Sequence, residues 1–238
     1  MNRTSMLRFV ILVVVNFAAT GAWAQTSAPA PATVPPDATA TSAPPAKAVV
    51  PMEEPLPGDH WTYEIRDEIT GTITATRENV VTEVTPTEIS VRYKKVGTNG
   101  QRLNVYDRSW NVLVDRPWRY SPNDGTGIQS PLTVGKSWPV QTNNINSANG
   151  SVWKRSGIAK VIGQESITTK AGTFDTFKIE IKFTGRNVNN PMMKNEVTSL
   201  TWYAPAIDHW VKRTFASRAD KHLQIDTAVE LVEYGRKQ

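Results

Sequence analysis

Residues 177–183 read Phe177-Lys178-Ile179-Glu180-Ile181-Lys182-Phe183, with an apolar residue at every odd position and a charge at every even one. A period of two puts the apolar side chains on one face of an extended chain and the charges on the other. A helix would scatter both sets around its circumference, so this stretch is a strand with one buried and one wet face, the pattern of antiparallel sheets. The alternation recurs outward in both directions. Trp61, Tyr63, Ile65 and Ile69 oppose Thr62, Glu64, Arg66 and Glu68; Ile89, Val91 and Tyr93 oppose Ser90, Arg92 and Lys94; Leu223, Ile225, Thr227, Val229 and Leu231 oppose Gln224, Asp226, Ala228 and Glu230.

Extending these anchors predicts about ten strands, near 61–69, 72–84, 87–96, 101–114, 133–140, 151–162, 165–169, 174–184, 196–203 and 209–219, with a last at 223–234. Gly71, Gly97, Gly100, Gly163, Gly172 and Pro205 punctuate them as turns. Within 72–84 the apolar set moves from odd positions (Ile73, Ala75) to even ones (Val80, Val84), which predicts a bulge or a bend. No stretch of the body carries helical periodicity. The expected fold is all-β, antiparallel sheets of about ten strands arranged as a sandwich or an open or half barrel, with little helix. An open barrel would leave a groove for an apolar ligand, where a sandwich would place core.

Before the first strand the chain changes character twice. Arg3 and Arg8 precede the apolar run Phe9–Val15, weakened by Asn16 and continued to Ala19, and Ala22-Trp23-Ala24 has the small-x-small form of a signal-peptidase site. The run falls short of the roughly 20 apolar residues of a spanning helix. Residues 1–24 are thus expected to be a cleaved signal peptide and the protein to be periplasmic or secreted, with no stable transmembrane segment after cleavage. Residues 25–52 hold 8 Ala, 7 Pro, 4 Thr and 2 Ser and no aromatic residue, the composition of a disordered linker. Residues 53–238 are left as a single β-domain. The net charge of +5 includes both ends of this prelude; residues 53–238 carry 24 Lys and Arg against 21 Asp and Glu, or +3.

Composition removes many chemistries. With no Cys, disulfides, thiolate metal sites, a thiol nucleophile and a lipidated N-terminal Cys are excluded. The 3 His, at 60, 209 and 222, fit no zinc-protease spacing, and no G-x-S-x-G is present. Asp59-His60 and Asp208-His209 each precede a Trp, but adjacent strand residues point to opposite faces, so Asp208 is badly placed to orient His209. Asn123-Asp124-Gly125-Thr126-Gly127 lacks the further acids of a calcium loop and the Lys of a phosphate loop, and reads as a turn. The basic pairs Lys94-Lys95, Lys154-Arg155, Lys212-Arg213 and Arg236-Lys237 are interspersed with acids, which argues against nucleic acid. No catalytic residue, metal site or cofactor is expected.

Three further pieces carry a resemblance: Val134-Gly135-Lys136-Ser137-Trp138, Ala171-Gly172-Thr173-Phe174-Asp175-Thr176-Phe177, and Trp202-Tyr203-Ala204-Pro205 leading to His209-Trp210-Val211-Lys212-Arg213. In this order they resemble a group of exported bacterial β-rich proteins built on a domain of unknown function, often with a G-x-x-W strand opening. Pro57-Gly58-Asp59-His60-Trp61 supplies a second G-x-x-W and hints at an internal duplication. The resemblance implies an envelope protein and brings no catalytic residues. Where that group continues with Gly after the last turn, this chain has Ile207-Asp208-His209.

Aromatic residues supply the remaining signal. Trp118-Arg119-Tyr120 falls within the Pro- and Gly-rich stretch Asp115–Pro131, expected to be a loop, and the Asn-rich Gln141–Gly150 is expected to be another. Trp118, Arg119, Tyr120, Asn143 and Asn144 are therefore the candidate ligand-binding residues, suited to a sugar ring, although the large apolar area of Trp118 and Tyr120 favours their folding back to cover one end of the core. Met192-Met193 would form the lip of a groove or an anchored loop. The leading expectation is an exported, non-enzymatic binding or structural protein of the cell envelope with a glycan such as peptidoglycan as partner. The alternatives are a carrier of a lipid or other apolar small molecule in an open barrel, and an enzyme using His60 or His209.

Overall fold

The structure is a computed structural model and describes residues 51–236. The signal peptide and nearly all of the linker lie outside the described residues. Twelve strands follow one another: β1 (His60–Asp67), β2 (Thr72–Val84), β3 (Glu88–Lys95), β4 (Gln101–Asp107), β5 (Val112–Asp115), β6 (Trp118–Ser121), β7 (Ser137–Asn146), β8 (Val152–Thr169), β9 (Gly172–Asn187), β10 (Lys194–Ala204), β11 (His209–Ala219) and β12 (His222–Gly235). Each pairs antiparallel with its chain neighbours, and β1 also pairs with β12, so the sheet closes into an up-and-down barrel. The expectation of antiparallel all-β structure holds, and closure decides between sandwich and barrel. A single 3-10 turn, Pro205–Ile207, is the one helical element among the described residues.

Closure is fastened where the chain enters and leaves. Arg236 donates from Nε to Asp59 Oδ1 at 2.8 Å and from Nη2 to Asp59 Oδ2 at 2.9 Å, a two-pronged bond to a fully buried carboxylate. Met52, which composition places in the linker, is buried, and its N–H donates to Ala206 O at 2.8 Å.

The two G-x-x-W segments occupy equivalent corners, six strands apart. Gly58 and Gly135 have φ of 95° and 92°, a conformation that favours glycine. Gly58 N–H donates to Val81 O and Val81 N–H returns to Asp59 O; likewise Gly135 N–H donates to Val161 O and Val161 N–H returns to Lys136 O. Each Val is followed by a bulge, at Val81/Glu83 and at Val161/Gly163. The hint of duplication is met at these corners, and Trp61 and Trp138 both turn inward from them into two different buried clusters.

Several strand boundaries differ from expectation. The stretch Asp115–Pro131 is not all loop: β5 ends at Asp115, and β6 is a short strand over 118–121 that fills the wall between β5 and β7. The Asn-rich segment continues β7 to Asn146 and leaves only a tight turn, because its Asn and Thr side chains take interior positions that apolar residues hold further down the strand. The run 101–114 breaks at Trp110, whose φ is 62°, and 151–162 and 165–169 are one strand, β8, bent at a bulge. In β2 the phase changes twice. One bulge falls between Ile73 and Ala75; beyond it Ala75, Arg77, Asn79 and Val81 all face inward, and a second bulge after Val81 changes phase again.

The six turns β1–β2, β3–β4, β5–β6, β7–β8, β9–β10 and β11–β12 gather at one end of the barrel. The opposite end is filled by rings. Trp61, Trp110, His209 and Trp210 interlock, with centroids 4.3 Å apart for Trp61–His209, 4.5 Å for Trp110–His209 and 3.7 Å for His209–Trp210. Beyond its bulge the β8–β9 hairpin continues as an arm. Its Ile167, Ala171 and Phe174 join the cluster of Trp61, Tyr63, Trp202 and Tyr234, and Lys170 pairs with Glu64 on β1 at 2.8 Å. Outward faces carry Glu64, Lys160, Glu180, Lys182, Lys212 and Glu230, whereas the wall of a lipid-facing barrel would be apolar. No described helix is long and apolar enough to cross a membrane.

Candidate functional site

At the turn-bearing end the inward positions change from apolar to polar. Along β8 the inward residues are Val161, Ala159, Gly157, Arg155 and Trp153, read from the plug towards the mouth. Val161 and Ala159 are fully buried, while Arg155 and Trp153 remain partly accessible. The same gradient runs along β7, from Val140 through Thr142 to Asn144, and along β11, from Val211 through Arg213.

These residues line a cleft of about 320 Å³ formed by Trp118, Tyr120, Asn144, Trp153, Arg155, Gly185 and Asn195. Trp118 and Tyr120 reach it because β6 is a strand and its even positions point inward, across from Asn146 and Asn144. Arg119 and Asn143, the intervening candidates, fall on the outer face for the same reason. Of the five residues singled out in the sequence, three therefore meet and two do not. Trp153, Arg155, Gly185 and Asn195 were missed, though the first two share the odd parity of Ala159 and Val161 and could have been found from it.

Arg155 organises the cleft. Its guanidinium lies 5.3 Å from the Tyr120 ring and 4.8 Å from that of Phe183. The Asn144 amide is set with its oxygen towards Arg155, where it accepts from Nε at 2.6 Å and Nη2 at 2.7 Å. Burial raises the Tyr120 pKa, with the Arg155 charge working against it, so the phenol stays a neutral donor. Asn195 Oδ1 is buried with no donor among the described residues, an acceptor turned towards the cleft wall. Aromatic faces, a fixed cation and free amide groups make a surface that can stack on rings and bond to hydroxyls.

The three His are elsewhere. His60 Nε2 lies 3.0 Å from Glu233 at the closing seam, and His222 is exposed at the β11–β12 turn. His209 is buried among the plug rings, where desolvation and then the charges of Arg213 and Arg77 push its pKa well below the usual value and keep it neutral. Asp208 serves the turn rather than His209: its carboxylate accepts from Tyr203 Oη at 2.6 Å and from Trp110 Nε1 at 3.1 Å. Met192 and Met193 stand exposed at the β9–β10 turn. No cluster of three or more metal-binding side chains occurs among the described residues.

Fold and cleft together define a class, a closed twelve-stranded up-and-down barrel plugged at one end and carrying a polar-aromatic cleft at the other. Residues 132–214 match the DUF3108-like family model, which covers β7 to β10 and the beginning of β11. Among solved structures the chain is similar to a candidate lipoprotein from Parabacteroides distasonis, at 15% identity and a TM-score of 0.51 over 78% of this chain and 99% of that one. It is also similar to a candidate exported protein with a YmcC-like fold from Bacteroides fragilis, at 14% identity and a TM-score of 0.47 over 79% and 100% of the two chains. The hypothetical lipoprotein YmcC from Escherichia coli matches at 11% identity and a TM-score of 0.46 over 76% and 86%. No curated protein matches the chain. The resemblance read from the sequence, to β-rich proteins built on a domain of unknown function, agrees with the family match, and the Parabacteroides structure agrees with it in fold.

Proposed function

We propose that the protein is a non-enzymatic binding protein of the bacterial cell envelope that takes a glycan in the mouth of its barrel. One observation carries this reading: Trp118, Tyr120 and Trp153 converge with Arg155, Asn144 and Asn195 on one cleft, on strands held rigidly by the closed sheet. Ring faces stack on the apolar faces of sugars, and amides and a guanidinium bond to their hydroxyls. The export pattern at residues 1–24 puts such a site in the compartment where peptidoglycan and other envelope polysaccharides are found. The three His have other partners or none near the cleft, which supports a binding rather than a catalytic role. A carrier of apolar molecules has less behind it at this cleft, whose accessible inward side chains are Trp118, Tyr120, Trp153 and Arg155, while the accessible apolar positions Ile65, Phe215, Ile225 and Val229 lie on β1, β11 and β12 outside it.

Pull-down of the purified protein with cell-wall sacculi tests the proposal. Retention by the wild type and its loss in Trp118→Ala and Trp153→Ala are expected. Equal retention of the three proteins, or none of the wild type, would remove the cell-wall reading.

A further inference from the structure

Below the mouth cleft, the interior contains an arrangement of charge that the cleft alone does not use. Three guanidinium groups face inward, from Arg77 on β2, Arg155 on β8 and Arg213 on β11. Arg155 is provided for by Asn144 and two rings. The other two are not. Arg77 stands opposite Tyr63 in the β1–β2 ladder and lies 5.5 Å from the Tyr93 ring, and its Nε is buried with no acceptor among the described residues. Arg213 packs 4.2 Å over the Trp210 ring and donates from Nε to Thr201 Oγ1 at 3.0 Å; its terminal nitrogens meet no acceptor among the described residues. Neither arginine forms an ion pair there.

The two flank one part of the wall. Arg77 pairs with Tyr63 on β1, while Arg213 pairs with Val229 on β12, itself the partner of Ile65 two residues along β1. Both charges act on the Tyr63 phenol and on His209, and that of Arg77 adds to burial in lowering the Arg213 pKa. The nearby acids are engaged otherwise. Asp124 accepts from the N–H groups of Val112 and Thr126 and from the Thr126 hydroxyl, and its charge reaches Arg155 and Arg213 without contact. Asp115 has Arg102 as its leading charge partner, at the rim, and Arg77 as its second, without an ion pair to either.

A partly buried guanidinium without a direct ion pair is disfavoured, so two of them facing one interior favour an anion that would balance them. The planar fork of Arg suits the paired oxygens of a carboxylate or phosphate, and stacking on Trp210 and the bond to Thr201 fix Arg213 in advance. We infer that the interior beside Arg77 and Arg213 seats an anionic oxygen group, a carboxylate or a phosphate, belonging to the ligand whose sugar body lies in the mouth cleft. The inference rests on the proposed glycan site and narrows it to acidic glycans, those carrying uronic acids or sugar phosphates. Asn104 Oδ1 on β4 and Thr142 Oγ1 on β7, buried without partners among the described residues, offer further acceptors inside the barrel.

Thermal unfolding of the purified protein in inorganic phosphate, against chloride at equal ionic strength, tests the anion site apart from any sugar. A rise of about 5–10 °C in the wild type at a hundredfold excess over Kd is expected, lost in Arg77→Gln and Arg213→Gln and kept in the outward-facing control Arg119→Gln. Without phosphate, Arg77→Gln should unfold no lower than the wild type, because the substitution removes an unbalanced charge. No shift in the wild type, an equal shift in all four proteins, or an Arg77→Gln that no longer folds would overturn the inference. Calorimetry with glucuronate, glucose 6-phosphate and glucose then separates the two sources: one acid binding at least tenfold tighter than glucose supports it, and glucose binding as well as both acids overturns it. Trp118→Ala keeps the two readings apart. Loss of sugar binding with the phosphate shift intact supports both, whereas undiminished sugar binding refutes the mouth site and leaves the anion site standing.

Discussion

The two ends of the barrel use the same kind of strand for opposite purposes. At the plug, inward positions hold Trp61, Tyr63, Trp110, Trp210 and Leu231, all buried, and even the imidazole of His209 is stripped of charge. At the mouth, inward positions of β2, β6, β7, β8 and β11 hold Arg77, Trp118, Asn144, Arg155 and Arg213, and most remain accessible. The wall, the register and the alternation are continuous between them. Stability is thus concentrated in one half and recognition in the other, an arrangement that lets the mouth keep unbalanced charges that no core could tolerate.

If that division is right, the largest loss of stability comes from the plug. Trp61 is 1% exposed and touches Trp110 and His209. Trp61→Ala should cost about 3–5 kcal/mol in urea unfolding, as large-to-small changes in filled cores do. A cost near that of a surface substitution would mean the plug is not the anchor. Next comes the junction. Gly157 lies between Arg155 and Ala159 on β8, where a Cβ would come within 2.0 Å of Lys182 O and 2.5 Å of Phe183 Cα. Because the obstacle is backbone, Gly157→Ala must push β9 away, at about 1–3 kcal/mol or more, and because Phe183 also packs against Arg155 it should weaken binding as well. Stability lost without any change in binding would separate the two halves more sharply than the packing does.

The same division explains what could be read from the sequence. Where an inward residue is apolar and its neighbour polar, as in Phe177–Phe183, alternation is visible and the strand was found. Along the mouth half of β7 both faces are polar, and β6 alternates over only four residues between Pro117 and Pro122, too short a run to stand out, so both segments read as loops. In β2 the inward Arg77 and Asn79 imitate an outer face, so the alternation shows one change of phase where the strand has a bulge before them and another after. The chemistry of Trp118, Tyr120 and Asn144 marks them in the sequence and they do meet; Arg119 and Asn143 carry the same mark and do not, since the strand that brings one residue in turns the next out. Barrel closure was beyond reach, because it depends on β1 meeting β12, a pairing between the two ends of the domain that no local pattern encodes.

A smaller effect is expected from pH, again from the plug. The folded state holds His209 neutral with a pKa well below 6.5, while the unfolded chain titrates near 6.5. Between those values the unfolded state binds more protons, so stability is complete above about pH 6.5 and falls as pH drops, by at most about 1.4 kcal/mol per pH unit. The buried Asp124 and Asp208 have raised pKa values and work with the opposite sign, the folded state there binding more protons than the unfolded. Comparing wild type with His209→Phe, which keeps a ring in the stack, cancels the carboxylates. The difference in unfolding free energy between the two proteins should change below pH 6.5 and be flat above it; a difference constant from pH 5 to 8 would mean that His209 takes up its proton in the plug as readily as in the unfolded chain.

The smallest effect on stability should come from the residue with the largest effect on binding. Trp118 is half-buried on a four-residue strand, and its ring lies over the cleft rather than inside either apolar cluster. Little area leaves water there on folding, so Trp118→Ala should change the unfolding free energy by less than about 1 kcal/mol, well under the loss for Trp61→Ala. Two tryptophans facing the same interior would then differ severalfold in their contribution to the fold, and the difference would lie in position along the barrel alone. A Trp118→Ala protein destabilised as much as Trp61→Ala would show that the mouth ring is a second plug. The cleft would then be core in a loosely filled state, and the case for a ligand there would rest on Arg77 and Arg213 by themselves.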